Sequence, residues 1–188
     1  MTPEVIPPRV PQYNWVDLGL PSGTLWLDRL VGAASPSSPG LYYQWGSING
    51  HTATDEFSFD DTSYSEQGLD TVDSDLSDSQ DAARAFYGPS AKMPSSEQVQ
   101  ELIEFTSVQS MQNNVLKITS IINGQSISLY RGGFMDVDQL RNFGFLRTWL
   151  TNYRNEVHAV ALLGQSSSLN TSTGYYRING LNIMAIHS

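Results

Sequence analysis

The 188-residue chain contains no cysteine. Disulfides, thiolate metal sites and cysteine nucleophiles are thereby excluded, and the redox compartment stays open. Charge is scarce as well, at 15% of residues, and no Lys or Arg lies between Arg29 and Arg84. Nineteen acids against ten basic residues give a formal charge of −9. No cationic stripe is available to neutralise phosphates, so nucleic acid is not an expected partner. No apolar run approaches the roughly twenty residues of a transmembrane helix, so no membrane span is expected. The first residues, MTPEVIPPRVPQ, lack the basic and apolar regions of a secretory signal. Either a signal was trimmed, or the protein leaves its cell without one, as a virion protein does on lysis.

What is present divides into an arm and a domain. Residues 1–12 hold Pro3, Pro7, Pro8 and Pro11, which reads as an extended polyproline-type arm. The arm is expected to be held by a partner or a neighbouring copy, the alternative being that it folds onto its own domain. Residues 13–188 are rich in Gly, Ser, Asn and Thr, as a loop-rich, strand-containing domain would be. Short strands are expected at 14–18 and 24–27, either side of the turn sequence Gly-Leu-Pro-Ser-Gly. LYYQWG (41–46) reads as a buried aromatic strand, and 47–76 as a long polar excursion. Two short helices should follow. Ser77 with Gln80 resembles a capping box before DAARAFYG, and Ser95 with Gln98, or Ser96 directly, caps EQVQELIEF. VLKITSI and SISLY flank Asn123-Gly124, a two-residue hairpin signal. Further strands are expected near 145–150, 157–163, 174–178 and 181–186. Strands, two helices and strands again make an α+β domain without βαβ alternation.

Little in the sequence points to catalysis. His51, His158 and His187 have no metal-ligand spacing, and no nucleophile turn or phosphate-binding glycine loop occurs. His158 lies in an apolar strand, where a satisfied or half-exposed imidazole is the natural reading. Acidity is concentrated: ten of the nineteen acids lie between residues 55 and 81. There Asp70, Asp73, Asp75 and Asp78 offer alternating hard oxygen ligands for calcium, although the Gly and distal Glu of an EF-hand loop are missing. The competing reading is a solvated acidic loop whose last members favour the N-terminus of the following helix. The C-terminal third differs in texture. TNYRNE (151–156) and GQSSSLNTSTGYYRINGLN (164–182) combine Tyr, Asn, Ser, Thr, Gly and Arg, as binding surfaces do. Tyr153, Arg154, Asn170, Tyr175, Tyr176 and Arg177 are the candidate receptor face; filling of ordinary β-turns is the alternative.

The opening segment YNWVDLGLPSGTLWLDRLVGA resembles the start of the Fibrobacter succinogenes major paralogous domain family, which begins V-D-L-G-L-P-S-G-T-L-W-A. Further segments follow in the family's order. GLYYQWGSI is similar to Y-F-A-W-G-E, DAARAFYGPSAKMPSSEQVQEL to its helical segment ending M-P-T-x-x-E-x-x-E-L, and ITSIINGQSISLYRGGF to its N-G-x-S-I-x-L hairpin. The likeness spans about residues 13–187. It implies a C-type-lectin-like fold, shared with sulfatase-modifying enzymes and with the variable receptor-binding proteins of some phages. The enzymatic branch depends on active-site cysteines or a metal, and this chain has no cysteine. The family's W-S-S-S strand stands here as LRTWLTN and its closing V-R-P-V as IMAIHS, so no ligand site is carried over. The expectation is a non-enzymatic, surface-displayed module of a bacteriophage virion with a gut Bacteroidetes host. It would be attached to other virion proteins through the arm, homo-oligomeric, and directed at a host glycan or protein. The alternative is a secreted or cell-surface binding module of a Bacteroidetes bacterium.

Overall fold

A computed structural model describes residues 13–188, so the proline-rich arm lies outside the described residues. The described chain is a mixed α+β structure of mostly small antiparallel sheets with few helices. Strands β1 (Trp15–Asp17) and β2 (Leu25–Leu27) pair in the register Trp15↔Leu27. Between them Pro21 occupies the second turn position, and the Gly23 N–H donates to the Leu20 carbonyl at 2.9 Å. The corner is tied down from outside. The Ser22 N–H and hydroxyl both donate to the Glu101 carboxylate, at 2.9 and 2.6 Å, and Asn123 Nδ2 donates to the Asp17 carbonyl at 3.0 Å. Leu18, Leu20 and Trp26 enter the first core cluster, while Trp15 packs against the second.

The aromatic segment 41–46 is buried as expected but is not a strand. It makes only isolated bridges, Tyr42↔His51 and Tyr43↔Leu181. Tyr42, Tyr43, Gln44 and Trp45 are all buried, so this segment is enclosed on both sides and no longer partner runs beside it. The 47–76 excursion is also more ordered than its polarity suggests. It contains α1 (Asp61–Glu66), capped reciprocally by Asp60 and Ser63, and a 3-10 turn at Leu69–Thr71. Phe59, Tyr64, Leu69 and Val72 sink into the interior from it. The Ser77–Gln80 box caps a 3-10 turn, and Asp81 caps α2 (Ala82–Tyr87). β3 (Ala91–Lys92) leads to α3 (Ser96–Glu104), where Ser95 and Gln98 form the expected capping box. Among the described residues three α-helices therefore stand where two were expected, because the apolar spacing of the acidic segment is too sparse to announce α1.

β4 (Thr106–Met111), β5 (Val115–Ser120) and β6 (Ser126–Tyr130) form a three-stranded antiparallel sheet. The β5–β6 connection is a four-residue loop closed by Ser120 N–H to the Gln125 carbonyl at 2.8 Å, not a two-residue turn. Only Gly124 takes positive φ there, whereas the two-residue type I′ turn needs it at both central positions. β7 (Phe134–Asp136) and β8 (Gln139–Arg141) form a small hairpin. β9 (Leu146–Tyr153), β10 (His158–Gly164) and β11 (Leu169–Tyr176) form a meander, to which β12 (Asn182–Ile183) adds in parallel beside β9. β13 (Ile186–His187) returns between β2 and β3, so the last strand closes the first sheet. No helix among the described residues is long and apolar enough to cross a membrane.

Candidate binding face

β11 alternates faces as a strand must, and this alternation sorts the candidate residues. Tyr175 points inward, with its ring 5.6 Å from Phe134 and 6.4 Å from Trp149, and its hydroxyl accepts from Arg147 Nε. Tyr176 points outward at 53% exposure and meets His158, its cross-strand partner, at a ring separation of 4.8 Å. Arg177 turns inward again and is 1% exposed. The expectation of Arg177 on a receptor face is corrected by this burial, and Tyr175 belongs mainly to the interior.

The guanidinium of Arg177 is held without a carboxylate. Nε donates to the Tyr64 hydroxyl at 3.0 Å. One terminal nitrogen donates to the carbonyls of Asn155 and Glu156 at 3.3 and 3.1 Å, and the other to those of Leu69 and Val72 at 3.1 and 2.7 Å. All five donors of the group are thus matched. The cation also lies 4.7 Å from the centroid of the Trp45 ring and 5.6 Å from that of Tyr153. Burial pushes the Tyr64 phenol up to about 12, against the pull of the neighbouring Arg177 charge. Tyr64 therefore stays neutral, accepting from Arg177 and donating to the Trp45 carbonyl at 3.0 Å.

This cradle fixes the β9–β10 turn from inside. The Asn155 side chain fixes it from within the turn, accepting the Val157 and His158 N–H groups at 2.9 and 2.8 Å. Two depressions flank the fixed turn. One is a cleft of about 140 Å³ lined by Asp61, Asp70, Glu156 and Tyr176, with Tyr64 and Arg177 at its wall. The other is a shallow groove of about 420 Å³ between Tyr153 and His158. Arg154 is exposed beside the turn. Asn170 is exposed too, but it lies six residues from Tyr176 along β11, about 20 Å at the strand rise. Of the residues expected at a receptor face, Tyr153, Arg154 and Tyr176 lie around this turn. Sequence reasoning did not single out Val157 or Asp61, took Asp70 for a calcium ligand, and did not place His158 there. The pairing of His158 with Tyr176 was within reach, since both lie in strands that could form one hairpin.

The calcium reading does not gather its ligands. The Asp75 carboxylate accepts the Tyr153 N–H at 2.7 Å and Asn152 Nδ2 at 3.2 Å. Asp78 pairs with Arg84 at 3.2 Å. Among the described residues no group of three or more His, Asp or Glu side chains is placed to hold a metal ion. As placed here, Asp70, Asp73, Asp75 and Asp78 do not converge on one point. Asp75 is instead a clamp joining the acidic segment to β9. Comparison with known protein families, with characterised proteins and with solved structures finds no match to this chain.

Proposed function

We propose that this chain is a non-enzymatic binding module displayed on a bacteriophage virion, as capsid decoration, head fibre or tail adhesin, with a C-type-lectin-like fold. The observation that carries the reading is the rigid face around Tyr176. The exposed Tyr176 ring, with the half-buried His158 ring against it, and an exposed Val157 stand on a turn fixed by Asn155 and Arg177. Ordering cost on binding is low at such a face, which is what recognition of a host surface needs. The three imidazoles support a non-enzymatic role: each ring lies against an aromatic, His51 on Phe57, His158 on Tyr176 and His187 on Trp15. The order of strands, helices and strands supports the C-type-lectin-like reading.

Immunogold labelling of phage particles and host cells tests display, with gold expected on particles. Gold confined to the bacterial envelope would transfer the module to the bacterium. Binding of labelled protein to intact Bacteroidetes cells tests the face. Tyr176→Ala should weaken attachment by about tenfold, as for an aromatic anchor, while leaving the melting temperature unchanged. Equal attachment by Tyr176→Ala and the parent would refute this face.

A further inference from the structure

We infer that β4 is a self-association edge, which pairs antiparallel with β4 of a second copy across a two-fold axis. Beyond its pairing with β5, the backbone of Ser107–Met111 makes no hydrogen bond among the described residues. Its side chains Ser107, Gln109, Ser110 and Met111 are exposed, Met111 at 42%. Open edges are normally blunted by charge, proline, a bulge, shortness or a covering segment. Among the described residues β4 carries none of these: its sequence TSVQSM is uncharged and its register with β5 is unbroken over six residues.

Most of the other sheet edges among the described residues are guarded. β1, with Asp17, and the small hairpin, with Asp136 and Arg141, have three-residue strands; β3 and β12 have two. β11 is interrupted by a register shift opposite Ala159/Ala161. β6, the far edge of the same sheet, is also uncharged and in unbroken register with β5, but it is one residue shorter than β4 and at least half-buried along its length, so it offers a second copy less exposed surface.

Charge selects the occupant. Two copies of a chain with net charge −9 repel each other unless they meet through a neutral surface. Residues 105–130, which include the whole three-stranded sheet, carry a single charged side chain, Lys117. A second copy therefore meets no like-charge pair along this edge. A two-fold axis through Gln109, perpendicular to the sheet, places Gln109 opposite its own copy, Val108 opposite Ser110 of the second copy, and Ser107 opposite its Met111, so that opposed side chains share a face. The result is one continuous six-stranded sheet and an isologous interface.

The absence of cysteine gives a clean background for cross-linking. Directly opposed residues have Cβ atoms about 4.5–5.5 Å apart. Under mild oxidation the single variant Gln109→Cys should therefore yield a covalent dimer on non-reducing gels. Ultracentrifugation of the parent should show a reversible dimer. Gln109→Lys sets two like charges side by side at the axis, and should weaken that dimer by about fivefold or more without lowering the melting temperature. A strict monomer at high concentration would overturn the inference. So would a dimer that Gln109→Lys leaves intact and the Gln109→Cys variant fails to trap.

Discussion

Replacing Arg177 with Met keeps most of the side-chain volume and removes all five donors. Three of the acceptors left behind, the Tyr64 hydroxyl and the Leu69 and Val72 carbonyls, belong to buried residues. Stranding a buried acceptor costs about 1–3 kcal/mol. The lower figure applies here, because the adjoining cleft lets water approach, so the three together cost about 3 kcal/mol. The cation over Trp45 adds about 1–2 kcal/mol. Relief of guanidinium desolvation offsets part of this, leaving a net loss of about 3–5 kcal/mol, as for other broken buried polar pairings. Arg177→Lys should fall between the two, since an ammonium cannot reproduce the planar fork. Urea denaturation followed by tryptophan emission gives the difference directly, provided the slope is unchanged. If Arg177→Met lies within about 1 kcal/mol of the parent, the carbonyl cradle is not what holds the turn.

Asp81 accepts the Arg84 and Met93 N–H groups at 3.0 and 2.8 Å while buried. Asp81→Ala should cost about 2–3 kcal/mol and Asp81→Asn roughly half of that, both read by chemical denaturation. His51 lies flat on Phe57 at 3.7 Å, and burial holds its protonation below the usual range against the pull of Asp55. The unfolded chain therefore takes up this proton first. The His51 contribution is complete above the ordinary value of about 6.5 and is lost as pH falls toward the lowered folded value. Melting temperatures of His51→Phe should accordingly decline less between pH 7 and pH 5, and parallel decline would refute the assignment. A Cβ on Gly180 would sit 2.3 Å from the Phe59 ring. Gly180→Ala should therefore destabilise by about 1–3 kcal/mol on melting.

The readable parts of the fold were those with local chemistry. The Ser95–Gln98 box and the strands around Pro21–Gly23 both depend on neighbours within a few residues, and both were legible. α1 was not, because its anchor Tyr64 is held by Trp45 and Arg177, nineteen and 113 residues away. The same distance effect misassigned Arg177. Its position in a Tyr-Asn-Arg-rich stretch suggested exposure, while its partners come from segments no local pattern connects. Asp75 looked like a metal ligand for a similar reason, since the Tyr153 N–H it accepts lies 78 residues away. At the candidate face, composition identified the exposed Tyr176. Pairing across β10 and β11 was needed to add His158.

The binding face and the self-association edge lie on different sheets, the first on the β9–β11 meander and the second on β4. Pairing through β4 therefore leaves Tyr176 of both copies uncovered by the strand contact itself. A dimer would present two equivalent faces, and a surface with repeated ligands would then gain from effective concentration without any new contact. This separates the two roles experimentally. Gln109→Lys should leave the affinity of a single face for soluble ligand unchanged and weaken attachment to intact cells, whereas Tyr176→Ala should weaken both. If Gln109→Lys reduced soluble-ligand affinity as well, edge and face would be coupled, and the independence argued from their separate sheets would fail.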